Sequence, residues 1–310
     1  MTVVDEAAHG VAAATGRVAG RPPARRRNTM SYGFISIYAI LALAFGVLPA
    51  TYAIFLAFTD AEGGFAGLAN FSKVVDDFRF WPAVTHVAFY LLIWLVSLVV
   101  LVTLLAIVVH AIAVRWLSRT LRFVFYLPGA LAGASSVLLW LFVLDPTVSP
   151  VAGLLHLFGF ESFVEVINPG NLPVIFAIVA FWTGAGGWIV IMYGALNNIS
   201  DEVMEAARMD GASPVQIAWN IQLPMLRKWI SYMGIMSLAA GTQLFVEPQL
   251  LSQASNAIVP NDYSLNQLAY QYAFQQNDFN GAAAISLLLL VIALALSAVF
   301  VTRGGLFERD

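Results

Sequence analysis

Cysteine is absent from all 310 residues, which excludes disulfides, thiolate nucleophiles and cysteine-based metal sites. Lysine is nearly absent too. Lys73 follows Ser72 and Lys228 follows Arg227, so neither closes a Gly-rich phosphate loop ending in Gly-Lys-Ser/Thr, and the chain has no recognisable ATP site. His86, His110 and His156 are scattered over different elements and form no metal or acid–base cluster. Charge is scarce: Asp, Glu, Lys and Arg make up 11% of residues, with a net charge of -3. Against this, 60% of residues are hydrophobic and the mean hydropathy is +0.81. A soluble domain of this length cannot hide that much apolar surface, so lipid is the expected solvent.

Runs of about 20 apolar residues occur at Gly33 to Phe58, Val84 to Val109, Phe123 to Leu144, Leu172 to Leu196, Trp229 to Leu251 and Ala282 to Thr302. The expected fold is therefore all-α and polytopic, with about six transmembrane helices. Pro128, Gly129 and Gly133 interrupt the third run, and Gln243, Glu247 and Pro248 the fifth; such breakers predict segments that face protein rather than lipid. The first run is nearly twice the length of a signal-peptide core and is read as a retained helix.

Of the 15 Lys and Arg residues, all but Lys73 and Arg79 fall in the N-terminal tail, the second and fourth loops and the C-terminus. The positive-inside bias then puts both termini in the cytoplasm of a multi-pass plasma-membrane protein. Residues 1–28 read as a disordered basic tail whose arginines meet anionic headgroups, ahead of a transmembrane domain over 29–310. The cluster RPPARRR reads as a topogenic signal, not a nucleic-acid site. In the external segment 252–280, Leu265, Leu268 and Tyr272 stand at helical spacing and predict a short helix lying on the outer surface.

One polar, helix-breaking segment lies between the fourth and fifth runs. In the loop 197–226, Glu205, Ala206 and Ala207 read as a helix start, and Asp210-Gly211-Ala212-Ser213-Pro214 as a turn with Gly211 at positive φ. A second helix is expected from about Pro214 to Ile221, ending before Leu223-Pro224. Two short helices joined at a glycine would form a rigid knob suited to a partner's groove.

The spacing Glu205-Ala206-Ala207, Asp210-Gly211-Ala212, Ile221 and Leu223-Pro224 resembles the EAA loop of permease subunits in binding-protein-dependent ABC importers. GLANFSKVVDDFRFW and TLRFVFYLPGALAGASSVLLWLF are similar to segments of the carbohydrate-uptake branch, the likeness running over about residues 31–303. After the fifth run this chain reads LLSQASNAIVP where that branch carries a Thr-x-Gly-Gly-Pro turn. The resemblance implies a transport subunit with no catalytic residues, metal or cofactor of its own. ATP and Mg would be bound by a separate ATP-binding subunit that grips the loop. It also implies a second homologous permease, an extracytoplasmic solute-binding protein, and inward movement of a sugar or sugar-like solute. Aligned on Glu205, the resemblance implies substrate contacts at Trp182, Thr183, Gly184, Gly187, Ser237, Gly241 and Gln243, with the Thr183 and Ser237 hydroxyls bonding the sugar. An ion-coupled secondary transporter is the alternative. It would need ionisable residues at membrane depth, and the runs offer little beyond Glu247.

Overall fold

The computed structural model describes residues 29–131, 133–255 and 258–303, and among them regular structure is helical, with one isolated bridge between Thr59 and Phe65. The tail expected over 1–28 lies outside the described residues. By internal contacts the chain divides after Ala50. Helix α1 (Ile35–Ala57) runs across that point, is apolar on every side, and contains a π turn at Leu43–Val47.

The second unit continues with α2 (Ala69–Val75), α3 (Phe80–Ala111), α4 (Arg115–Ala130), α5 (Gly133–Val143), the short α6 (Ala152–Leu157) and α7 (Phe163–Val166), and α8 (Leu172–Leu196). Then come α9 (Asp201–Met209), α10 (Pro214–Gly241), α11 (Val246–Ala254), α12 (Leu265–Phe274) and α13 (Phe279–Arg303). Four helices, α1, α3, α8 and α13, are long and apolar enough to cross a bilayer alone. Two further helix pairs reach that length and hydropathy only when each is taken together, α4 with α5 bent by 103° and α10 with α11 bent by 43°, the geometry of a broken span or a re-entrant loop. The first break follows from sequence: Pro128 withholds an N–H, the helix tightens to a 3₁₀ turn at Leu127–Ala130, and Leu131 is extended.

Helices α3, α8 and α10 share the larger core, where Leu98, Val102, Ile189, Met192 and Met233 are fully buried. Between membrane helices close packing, rather than water exclusion, supplies the attraction, so small residues mark the contacts. A Cβ at Gly186 would strike the Phe125 carbonyl of α4, and one at Gly241 would strike Trp94 and Leu91 of α3. Broken α10 thus faces protein as its breakers predict. Helix α5 does so on one face: Val137 lies in the larger core with Trp140 and Leu141 packed against it, while Leu138, Leu139 and Phe142 point outward, an apolar face suited to lipid or to another subunit.

The smaller core joins Ala57, Val74, Phe80 and Ala83 to α12 and α13. Its helix α12 forms where the spacing predicts, started by a capping box between Ser264 and Gln267, and packs one face inward. Leu265, Leu268 and Tyr272 are buried, and so are Gln267 and Gln271. The amides allow this because each finds a partner: Gln267 donates to Gln249 Oε1 at 3.2 Å and Gln271 to the Asn261 backbone and side-chain oxygens at 2.8 Å. Arg79 locks the corner before α3, donating to both Asp77 oxygens at 3.0 and 2.6 Å and to Gln271 Oε1 at 2.8 Å. The Tyr272 hydroxyl donates to Asp77 at 2.7 Å, and Lys73 pairs with Asp278. The Arg79 guanidinium holds the Asp77 carboxyl well below the usual carboxylate range, while burial pushes the Tyr272 phenol up to about 12.

Candidate coupling surface and solute path

The 197–226 loop is built by ordinary helix-end chemistry. Ser200 precedes α9, and Asp201 and Glu202 in its first turn favour the positive end of the helix. Glu205, Ala206 and Ala207 are therefore not a helix start; they lie in the second half of α9, because the acidic first turn starts it sooner. At its end Gly211 adopts φ +79°, Gly211 N–H donates to the Arg208 carbonyl and Ala212 N–H to the Ala207 carbonyl, both at 3.0 Å. A non-glycine residue pays about 1–2 kcal/mol in that left-handed region. Ser213 and Gln216 then form a capping box, with Pro214 at the first turn of α10, where no N–H is required. The pattern Ser213-Pro214-Val215-Gln216 carries that box, a signal the reading of the turn alone passed over.

The second helix does not stop before Leu223-Pro224. It passes through a π turn at Ala218–Gln222 and continues to Gly241. The wider turn re-registers the hydrogen-bond ladder, so that Pro224 falls at the start of the next α segment and its missing N–H costs little. The knob is consequently fused to a membrane helix, not hung between two loops.

Its outer surface carries Glu205, Ala206, Asp210 and Gly211, together with Met209, Val215 and Trp219, which are 88%, 76% and 71% exposed. Neither Glu205, Arg208 nor Asp210 forms a side-chain hydrogen bond or ion pair among the described residues. Ala207 and Ala212 are half-buried, Ile217 is buried, and Met204 and Ile221 pack on the larger core. Behind the knob a largely apolar groove of about 1320 Å³ opens between α9, α10 and the end of α3; Thr103, Arg208, Ala212, Ile217 and Leu223 help to line it. Nearby, the Arg122 guanidinium lies 3.8 Å from the centre of the Tyr193 ring, whose edge contact with His110 ties α4, α8 and α3 together.

The seven residues expected along the path differ in exposure. Gly184 and Gly187 have open space where a Cβ would stand, and the Gln243 amide is exposed. Trp182 is half-buried, edge-on to Trp140 at 5.8 Å. Thr183, by contrast, spends its hydroxyl proton on its own helix, donating to the Val179 and Ala180 carbonyls at 3.0 and 3.2 Å. Ser237 is buried, and the Trp94 and Leu91 side chains stand where a Cβ of Gly241 would be. The open strip on α8 continues to Ile191, and Trp229, Tyr232 and Met236 on α10 are exposed.

Residues 103–304 match the family described as "Binding-protein-dependent transport system inner membrane component". The chain belongs to this family. The matched stretch contains the knob, most of its groove and the seven path residues. Among similar proteins, the "Multiple sugar-binding transport system permease protein MsmF" of Streptococcus mutans serotype c is 29% identical over 282 residues, 89% of this chain and 95% of that one. The "Arabinooligosaccharides transport system permease protein AraP" of Halalkalibacterium halodurans is 26% identical, covering 91% and 90%. In fold, the chain resembles a solved "bacterial ABC transporter involved in the import of the acidic polysaccharide alginate", with a TM-score of 0.79, 19% identity and coverage of 91% and 97%. This inner membrane component is thus a multi-pass permease subunit of an ABC importer. Sequence reading found the knob of this permease through Asp210-Gly211 but missed Met209, Val215 and Trp219, whose exposure depends on which face the core claims.

Proposed function

We propose that this permease carries a sugar or sugar-like solute inward, driven by ATP that a separate ATP-binding subunit binds with Mg and hydrolyses. The permease pairs with a second homologous permease and receives solute from an extracytoplasmic binding protein, with both termini and the knob in the cytoplasm. The observation that carries this reading is the knob: a helix–glycine–helix unit, continuous with α10, whose apolar tip and charged groups have no side-chain partner among the described residues. Motion of the ATP-binding subunit against Met209, Gly211, Val215 and Trp219 would move α10, and with it the strip formed with α8. The relatives' sugar-related names support the cargo class, as does the open Gly184–Gly187 strip, beside which Trp182 offers a flat apolar face.

The test is Gly211→Val in the assembled importer. No neighbour obstructs a side chain there, so the effect comes from backbone strain at φ +79° and from the altered tip. Uptake and the ATPase stimulation caused by the binding protein should fall at least about tenfold, equivalent to about 1.4 kcal/mol, with unchanged amounts of permease in the membrane. Wild-type values for both would sink the coupling role.

A further inference from the structure

A second feature, outside the Trp182 strip, lies at the far end of α10. Between the turn after α10, α12 and the start of α13 is a cavity of about 420 Å³, within the range of small-molecule sites. Phe245, Tyr270 and Phe274 form one wall as a run of tilted rings, Phe245 to Tyr270 at 5.6 Å and Tyr270 to Phe274 at 4.9 Å. Gln243, Asn266 and Ser286 supply polar groups to the cavity.

Hydrogen bonding on the two sides of α12 differs. Toward the protein, Gln267 and Gln271 are both engaged. Toward the cavity, the Gln243 amide and the Tyr270 hydroxyl have no partner among the described residues. Asn266 donates to the Thr242 carbonyl at 3.0 Å, which pins the turn to α12 and leaves its Oδ1 open as an acceptor. Among the described residues, no acidic, basic or histidine side chain lines the cavity.

We propose that this cavity is a vestibule subsite that binds one neutral sugar ring of the cargo before it reaches the α8–α10 strip. The inference rests on the carbohydrate reading above and adds that the bound unit is uncharged. Aromatic rings take the apolar C–H face of a pyranose, and paired amides match adjacent hydroxyls, each able to donate and accept. A uronate or phosphate would find no cation to compensate its desolvation. Tyr270 and Phe274 are exposed, so the ring face is reachable.

Because the chain has no cysteine, Ser286→Cys places a single thiol in this subunit, at the edge of the cavity and with its three rings left in place. In the complete importer, with the other subunits free of cysteine, its reaction with a membrane-impermeant methanethiosulfonate is timed alone and with maltotriose, N,N′-diacetylchitobiose or trigalacturonate. Protection of about fivefold by a neutral sugar, in line with one aromatic contact, and none by trigalacturonate is expected. Protection by trigalacturonate, or a thiol that reacts in the lone permease but not in the assembled importer, would overturn the subsite; the latter would mean that the second permease covers the cavity. ATPase stimulation separates the two readings. Stimulation by a sugar without protection removes the subsite alone, and stimulation by no sugar removes the carbohydrate reading and the subsite with it. As a second variant, Tyr270→Ala should cut uptake about fivefold and Tyr270→Phe, which keeps the ring, less than about twofold; equal effects of the two would also overturn it.

Discussion

The knob and the Arg79 corner are both polar interruptions in an apolar chain, yet they dispose of their charges in opposite ways. At the corner Arg79, Asp77, Tyr272 and Gln271 satisfy one another, and Lys73 pairs with Asp278. At the knob Glu205, Arg208 and Asp210 take no side-chain partner among the described residues, while Met209, Val215 and Trp219 stand in the open. A region whose task is to hold the fold closes its hydrogen bonds internally; one that meets another protein leaves apolar anchors and charges available.

Substitutions that confuse these two kinds of region should separate them most clearly. The largest effect on folding is expected at a helix contact: Gly186→Ala puts a methyl into the Phe125 carbonyl and should cost on the order of 2–3 kcal/mol, read as a fall in melting temperature. Gly187→Ala, one residue along and facing open space, should leave melting unchanged or slightly raised. Next, Arg79→Leu strands the largely buried Asp77 carboxylate and should cost about 2 kcal/mol. Acid should reproduce that loss. Asp77 has a folded pKa below its ordinary value, so its contribution is present above about pH 4 and disappears as pH falls through the folded value. Tyr272 is raised, so its contribution is present below about pH 10 and fades as pH rises toward about 12. Melting of the wild type should accordingly drop below about pH 4, and melting of Arg79→Leu should respond less. The smallest change in stability belongs to the knob: Glu205→Ala should alter melting by less than about 0.5 kcal/mol while reducing stimulated ATPase activity. If Glu205→Ala melts early with coupling intact, the contrast between the regions fails.

Much of this architecture was legible along the chain. Apolar runs located the spans, since crossing a bilayer is a matter of length and hydropathy, and Asp210-Gly211 announced a left-handed turn that glycine alone adopts cheaply. Other features were hidden. Pro224 looked like a helix stop because a π turn four residues earlier leaves little local mark. The second half of α9 was mistaken for its start because Glu-Ala-Ala suits either end. Ser237 and Gly241 looked like cavity residues, but which face of α10 is turned inward depends on Trp94 and Leu91 of α3, far away in sequence.

What the sequence determined by itself, then, is solvent and segmentation: lipid around most helices, and one polar, helix-breaking segment between the fourth and fifth runs. Only tertiary structure decided which side chains remain open, burying Gln267 and Gln271 of α12 while freeing Tyr270 of the same helix and Gln243 after α10. The physical reason is that hydropathy and turn propensity are properties of a residue and its near neighbours, whereas exposure and hydrogen-bond satisfaction belong to whichever distant helix packs against it.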